Sequence, residues 1–349
     1  MFKLHTFEWA VIGAGPAGIA AVGQLLERGI PGETILWLDP HFAIGDFGQL
    51  WGNVDSNTTA GFFTDYLQHL KAFEYNAHPH YAFDDLALDQ TCKLSLMHQP
   101  LAWITNILRG KVESHPGNVD KLNLTQKLWN LKLHDGTTVA AKNVILATGA
   151  TPKNMVPPEN VEVINLYNAL NPELLTKHCS QDDTIAVFGS SHSAVIIIRD
   201  LLNLKVKKVI NFYHNPLKFA VNLGDFILFD DTGLKGNAAV WARENLNGTI
   251  PANLERIYSS HENVAEHLPF CNKVIYAIGF TKRAPLIEGF PEWTYNAHNG
   301  IIAPGLFGVG IGFPESKIDP YGNVEASVGL RKFMYYLDNV IPVWLKYST

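Results

Sequence analysis

From Phe7 to Ile12 the chain is apolar at nearly every position, a run of strand length rather than helix length. The glycines of Gly13-Ala14-Gly15-Pro16-Ala17-Gly18 end it, and apolar residues then recur at helical spacing as far as Leu26. Arg28-Gly29 follows, a cation and a left-handed cap, so the predicted helix stops there. A second apolar run, Thr34 to Leu38, predicts a strand that ends on Asp39. Strand, glycine turn, helix, strand and acid in this order form the dinucleotide-binding βαβ pattern. Gly13 permits the tight turn, Gly15 lets backbone N–H groups approach a diphosphate on the positive helix end, and Gly18 allows helix and strand to touch. Asp39, followed by Pro40, is placed to accept hydrogen bonds from a ribose diol.

The same alternation returns further along. Lys142 to Leu146 predicts a β-branched strand running into Ala147-Thr148-Gly149, and Asn272 to Tyr276 predicts another running into Ala277-Ile278-Gly279. Between them Asp183 to Phe188 and Gly189-Ser190-Ser191-His192-Ser193-Ala194 repeat the opening strand and turn, with only the first glycine kept. Two copies of one unit are therefore expected, an α/β fold with two Rossmann-like sheets. Ahead of Ala147 the stretch Leu128 to Leu146 alternates well about Asp135-Gly136, which predicts a hairpin.

Composition narrows the class. The 349 residues suffice for about two domains, and 47% hydrophobic with 17% charged residues suits a globular chain. A net charge of -6 without a basic block argues against nucleic acid as a partner. No long uninterrupted apolar run predicts a membrane span. The apolar start is broken by Glu8 and close glycines without a cleavage site, so a cytoplasmic protein is expected. Cys92, Cys179 and Cys271 are scattered, with no CxxC pair for dithiol chemistry.

The paired fingerprints, each followed by a strand ending in Thr-Gly or Ile-Gly, resemble the two-dinucleotide-binding-domain flavoproteins of the pyridine nucleotide-disulfide oxidoreductase superfamily, and most of all their flavin-containing monooxygenase-like branch. The resemblance covers nearly the whole chain. It implies FAD on the first unit and NAD(P)H on the second, with a discontinuous FAD domain over residues 1–151 and 283–349 and an inserted NAD(P) domain over 152–282. It also implies a small β-meander before Ala147 and a backbone contact to adenine from the strand containing Val112.

Gly45-Asp46-Phe47-Gly48-Gln49-Leu50-Trp51 resembles the GGxW and GGQL segments of such enzymes and reads as a loop. Its glycines, with Gln49 and Leu50, would approach the phosphates and ribityl chain, and Trp51 would either wall the flavin or simply pack over the loop. Ser56-Asn57-Thr58-Thr59 resembles the Asn-Thr pair of flavin-containing monooxygenases, in which an Asn lies near the reactive ring edge. Asn57 is thus the candidate catalytic residue, able to hydrogen-bond an oxygen species or a nicotinamide amide there, unless it serves only an Asx-turn. Gly310-Ile311 stands where the family often has Gly-Asp. A helix is expected from about Val324, its N-terminus toward the flavin, with Glu325 complementing its dipole.

In the second unit the strand Lys208 to Tyr213 ends in His214-Asn215, without the acid that an NAD site favours. His214 and Lys218 are the available partners for a 2′-phosphate, which leans the reading to NADPH with NADH still open. Tyr167 matches a family tyrosine, but the Phe-x-Gly-x-x-x-His signature of these monooxygenases is absent. Three functions stay open: a monooxygenase acting on a small molecule, a reductase passing electrons to a protein, quinone or disulfide, and a non-enzymatic FAD-bound sensor. Residues 216–270 read as a lid, a partner surface or a solvated excursion.

Overall fold

The computed structural model describes residues 6–290 and 292–347. Met1 to His5, part of the start read above as lacking a secretion signal, lie outside the described residues. The opening run forms strand β1, Thr6–Ile12, and helix α1 follows over Pro16–Glu27, with Pro16 at its first turn and Gly15 as its extended N-cap. Strand β2, Ile35–Asp39, lies parallel to β1.

Two sheets carry the fold. In the first, β1 is flanked by β2 and by the long strand Thr138–Leu146, both parallel to it, and Glu113–Pro116 lies beyond β2. The strand Thr138–Leu146 does double service. Its first half pairs antiparallel with Leu128–Leu133, extending the sheet into a meander, and its second half pairs parallel with Leu306–Gly308. The second sheet runs Glu162–Val163, Lys273–Tyr276, Thr184–Phe188, Lys208–Tyr213 and Leu254–Tyr258, every neighbour parallel. Four central strands of the first sheet, Thr138–Leu146, β1, β2 and Glu113–Pro116, share one order with Lys273–Tyr276, Thr184–Phe188, Lys208–Tyr213 and Leu254–Tyr258 of the second, whereas the fifth strand comes from late in the chain in the first sheet and from the start of the unit in the second.

Burial follows the predicted pattern. Strand β2 is buried at all five positions and Thr184–Phe188 at all but its first, as expected of strands covered on both faces. Helix α1 and the C-terminal helix Leu330–Trp344 cover one face of the first sheet, where Trp344 stacks on Phe307 at 4.6 Å between ring centroids. The helix His192–Asn203 covers the second sheet through Val195, Ile197 and Leu201. The chain passes between the sheets through two short strands, Ala150–Pro152 and Phe280–Lys282, which pair antiparallel with each other.

The C-terminal expectation is corrected. Val324–Ser327 is not helical but a strand, antiparallel to Glu315–Ile318, and its inward positions are Glu325 and Ser327. The helix begins six residues later, at Leu330, after Gly329 with φ 151°. The segment Gly45–Gln49, expected as loop, is a short helix, and residues 221–228 form a small hairpin ahead of the helix Gly236–Asn245, whose Ala238, Ala239 and Ala242 enter the second core. Among the described residues no helix is long and apolar enough to cross a membrane.

Candidate functional site

The two glycine turns are built alike. Gly13 N–H donates to Leu38 O at 2.7 Å, and Gly189 N–H donates to Phe212 O at 2.9 Å. Ala147 N–H donates to Ile12 O and Ala277 N–H to Phe188 O, each at 2.8 Å. Gly13 has φ 109° and Gly189 has φ 126°, and a Cβ on either would fall inside 3.0 Å of the carbonyl oxygen of Ala147 or Ala277 respectively. Only glycine satisfies both the backbone angle and the close approach.

The third position separates the copies. A Cβ on Gly18 would strike the Gly13 carbonyl, whereas the second helix stands far enough off to hold Ala194, fully buried, in the same place. At the second position Gly15 and Ser191 are both extended N-caps without a side-chain cap hydrogen bond. In α1 the first intrahelical bond is Ile19 N–H to Gly15 O, so the N–H groups of Ala17 and Gly18 have no intrahelical acceptor. Gly310, with φ 93°, packs directly on Ala17, where a side chain would clash. These free donors on a positive helix end, with no side chain in the way, fit a dinucleotide diphosphate.

Asp39 is buried, and its carboxylate accepts from Ala14 N–H at 2.7 Å, His41 N–H at 2.9 Å and Phe42 N–H at 2.7 Å. It thereby holds the turn, the residues after Pro40 and a negative charge at one point. The helix Gly45–Gln49 lies over the turn, with Gly45 packed on Gly15 and Gly48 on Ala43 O. Ile44, before it, is held at φ 63°, a strained conformation for a β-branched residue. Gln49 and Leu50 face solvent. Val112 is buried just ahead of Glu113–Pro116, but its N–H is taken by Leu108 O at 3.1 Å, so only its carbonyl is available to an adenine.

Trp51 lies against the second unit. Its ring packs 5.0 Å from Tyr167 and 6.2 Å from Phe280, on the hydrophobic core of the second. Thr148 Oγ1 donates to Arg283 O, Gly149 O accepts from Arg283 N–H at 3.0 Å, and the Arg283 guanidinium pairs with Asp46. Gly279 O accepts from Lys153 N–H at 2.9 Å on the neighbouring passage.

Asn57 lies in the strand Asp55–Thr59, exposed, with only the Thr58 hydroxyl donating to its Oδ1 at 3.3 Å. The strand itself is fastened to the second unit. Asp55 O meets His192 Nε2 at 3.2 Å, and the Asp55 carboxylate pairs with Lys93 at 2.7 Å and Arg199 at 3.3 Å. Burial pushes the Asp55 pKa up, but Lys93 and Arg199 outweigh it and hold it below the ordinary value. Burial also holds the His192 pKa below its ordinary value, despite the Asp55 groups beside it. His192 therefore bridges the units rather than lying free at a helix start. Ser190 Oγ donates to Asn215 O at 2.8 Å; Ser191 is exposed and Ser193 half-buried.

A second fastening was invisible to the sequence. Glu325, 8% exposed, accepts from Asp231 N–H at 3.2 Å, Thr232 N–H at 3.0 Å and the Thr232 hydroxyl. Asp231 in turn accepts from Val328 N–H at 3.0 Å and from Lys332 at 2.7 Å. Glu325 thus binds the second unit instead of complementing a helix dipole, and residues 230–235 are a clamp rather than a solvated excursion. Lys218, the other candidate for a 2′-phosphate, is exposed and sits 4.9 Å over the Phe229 ring. An open cleft of about 500 Å³ borders this clamp, lined by Thr91, Ala220, Leu234, Gly236 and Arg243.

Residues 7–218 match the family model described as pyridine nucleotide-disulphide oxidoreductase. The chain belongs to that family. Within it, the chain is 33% identical to a monooxygenase, AgnR1, from Paecilomyces divaricatus, over 96% of this chain and 97% of that one. Its fold is shared with a flavin-containing monooxygenase from Stenotrophomonas maltophilia (16% identity, TM-score 0.63, 98% of this chain and 99% of that one). It is likewise shared with the thioredoxin reductase of Lactococcus lactis (14% identity, TM-score 0.58, 98% and 99%). This family member is an FAD-dependent oxidoreductase of the flavin monooxygenase-like branch.

Proposed function

We propose that this oxidoreductase is an NAD(P)H-dependent monooxygenase acting on a small molecule. Its FAD domain spans residues 1–151 and 283–349, and its NAD(P) domain spans 152–282. The observation that carries the reading is the duplicated cradle, with the Asn57 strand held against the second copy by Asp55, His192 and Arg199. When bound, the flavin supplies hydride acceptance from a reduced nicotinamide and onward delivery of two electrons.

The protein supplies binding and placement. Gly13, Gly15, Pro16, Ala17 and Gly18 receive the flavin diphosphate, with Gly48, Gln49, Leu50 and Gly310 around it, and Asp39 and Pro40 receive the ribose. Val112 meets adenine, and Thr148 and Gly149 meet the ring side. Gly189, Ser190, Ser191, Ser193 and Gly279 receive the nicotinamide dinucleotide, with His192 fixing that turn to the flavin side. Asn57 presents its amide where the two units meet. The 33% identity to a monooxygenase over almost the full length supports oxygen chemistry.

Dithiol chemistry is disfavoured, because burial raises the Cys92 thiol pKa and pushes those of Cys179 and Cys271 up to about 11, the reverse of what a redox thiol needs. A reductase reading is favoured by one observation, the absence of the Phe-x-Gly-x-x-x-His signature of the monooxygenases from the segment ahead of the second glycine turn. Anaerobic mixing of the yellow protein with NADPH or NADH, followed by labelled oxygen, separates the readings. Bleaching followed by one labelled atom in an organic product supports the monooxygenase. Bleaching with only peroxide or reduced dye supports the reductase. No bleaching by either nucleotide overturns both.

A further inference from the structure

Superposing the hydrogen-bond frames of the two units aligns them residue by residue. Since Gly13 N–H meets Leu38 O and Gly189 N–H meets Phe212 O, Phe212 occupies the place of Leu38. The preceding residues agree: Trp37 Nε1–H donates to Gly13 O at 2.9 Å, and Asn211 Nδ2–H donates to Gly189 O at 2.8 Å. Tyr213 therefore stands where the first unit has Asp39, the ribose acid. The carboxylate is gone, and a cation has come in. Arg256, on the strand Leu254–Tyr258, lies in register with Asn211. Its Nε–H donates to Asn211 Oδ1 at 3.0 Å, and its guanidinium carbon lies 5.0 Å from the Tyr213 ring centroid.

No carboxylate among the described residues forms an ion pair with Arg256, although the residue is half-buried. Burial lowers its pKa, which for a guanidinium still leaves the charge in place at neutral pH. A desolvated, fixed guanidinium without a counter-ion is an anion site. Aromatic rings stand beside it. Tyr258 meets Tyr213 edge-on at 6.1 Å and lies over His214 at 5.8 Å and 24°. Both His214 and Tyr258 reach solvent, so their rings are open to a stacking base.

We propose that Arg256 selects NADPH over NADH by binding the 2′-phosphate of the adenosine ribose, at the point where the first unit carries Asp39. This rests on the second unit being a nicotinamide dinucleotide site. Asn211 orients the guanidinium from behind, and His214 with Tyr258 receives the adenine. The sequence hid this residue because it lies more than forty positions beyond the strand end where a 2′-phosphate partner is sought.

The test is calorimetric titration of the FAD-loaded enzyme, whose first adenine site is filled, with adenosine 2′,5′-bisphosphate and with 5′-AMP. The unaltered protein should bind the bisphosphate roughly 10–100-fold more tightly than 5′-AMP. Arg256→Gln should erase the difference without weakening 5′-AMP, and Arg256→Lys should retain part of it. In flavin bleaching, Arg256→Gln should raise the NADPH concentration needed for half-maximal rate by a similar factor and leave that for NADH unchanged. If 5′-AMP binds but the bisphosphate shows no advantage, or the advantage survives Arg256→Gln, the assignment of Arg256 falls while the nucleotide site stands. If neither ligand binds the unaltered protein, the site reading falls as well. Should Arg256→Gln not fold, Arg256→Lys against the unaltered protein decides by the same comparison.

Discussion

Replacing Glu325 by alanine isolates what the clamp contributes. The carboxylate accepts from two backbone N–H groups, of Asp231 and Thr232, and from the Thr232 hydroxyl, at a position 8% exposed. Removal leaves two main-chain donors and a hydroxyl short of an acceptor, and each unsatisfied buried donor costs about 1–3 kcal/mol. Water reaching the new gap recovers part, so a loss of roughly 2–4 kcal/mol is expected. At about 2–4 °C per kcal/mol for units of this size, the melting midpoint should fall by roughly 5–15 °C. Glu325→Gln sorts the bonds. Its carbonyl can keep the Oε1 position, which takes both Thr232 donors, but its NH₂ then faces the Asp231 N–H, so it should fall between the two. The assay is thermal unfolding followed by flavin fluorescence, with nucleotide affinity measured alongside. A midpoint shift below about 2 °C for Glu325→Ala would refute the reasoning that this carboxylate joins the units.

Gly18→Ala should destabilise by about 1–3 kcal/mol and release flavin on gel filtration, because the new methyl meets the Gly13 carbonyl. Ala194→Gly restores the consensus glycine of the second turn yet should weaken the protein by about 1–2 kcal/mol, since it empties a filled core position and adds a helical glycine, with no tightening of NADPH binding. Urea midpoints should also fall as pH drops from about 6.5, because the depressed His192 pKa means the unfolded chain takes up a proton that the folded chain refuses; His192→Asn should flatten that slope. Asn57→Ala should slow product formation by about 10²-fold while leaving the melting midpoint within about 1 °C, judged by turnover and calorimetry together.

The first unit was legible because its signals are local: Gly13 to Gly18 and Asp39 lie within thirty residues and each has a fixed mechanical task. The duplication was legible for the same reason. Val324 to Ser327 misled because a short apolar-polar stretch ahead of a true helix looks like its first turn, although Gly329 at φ 151° and the alternate burial of Glu325 and Ser327 mark a strand. The surroundings of Trp51 were not legible because its partners, Tyr167 and Phe280, come from the other unit. Arg256, the Glu325 clamp and the Asp55–Arg199 pair lay beyond reach, since parallel pairing and inter-unit contacts join positions that no spacing rule connects.

The antiparallel pairing of Ala150–Pro152 with Phe280–Lys282 has a wider reach. The polypeptide departs from the first sheet and comes back through one narrow neck, so everything between is tied on like a pendant. Closing a chain whose ends already meet costs little, whatever hangs in the loop. A unit with adjacent termini is thus exchangeable without tearing the sheet that spans the break, and a lineage can remodel the inserted unit while the first sheet and its glycine turn stay untouched.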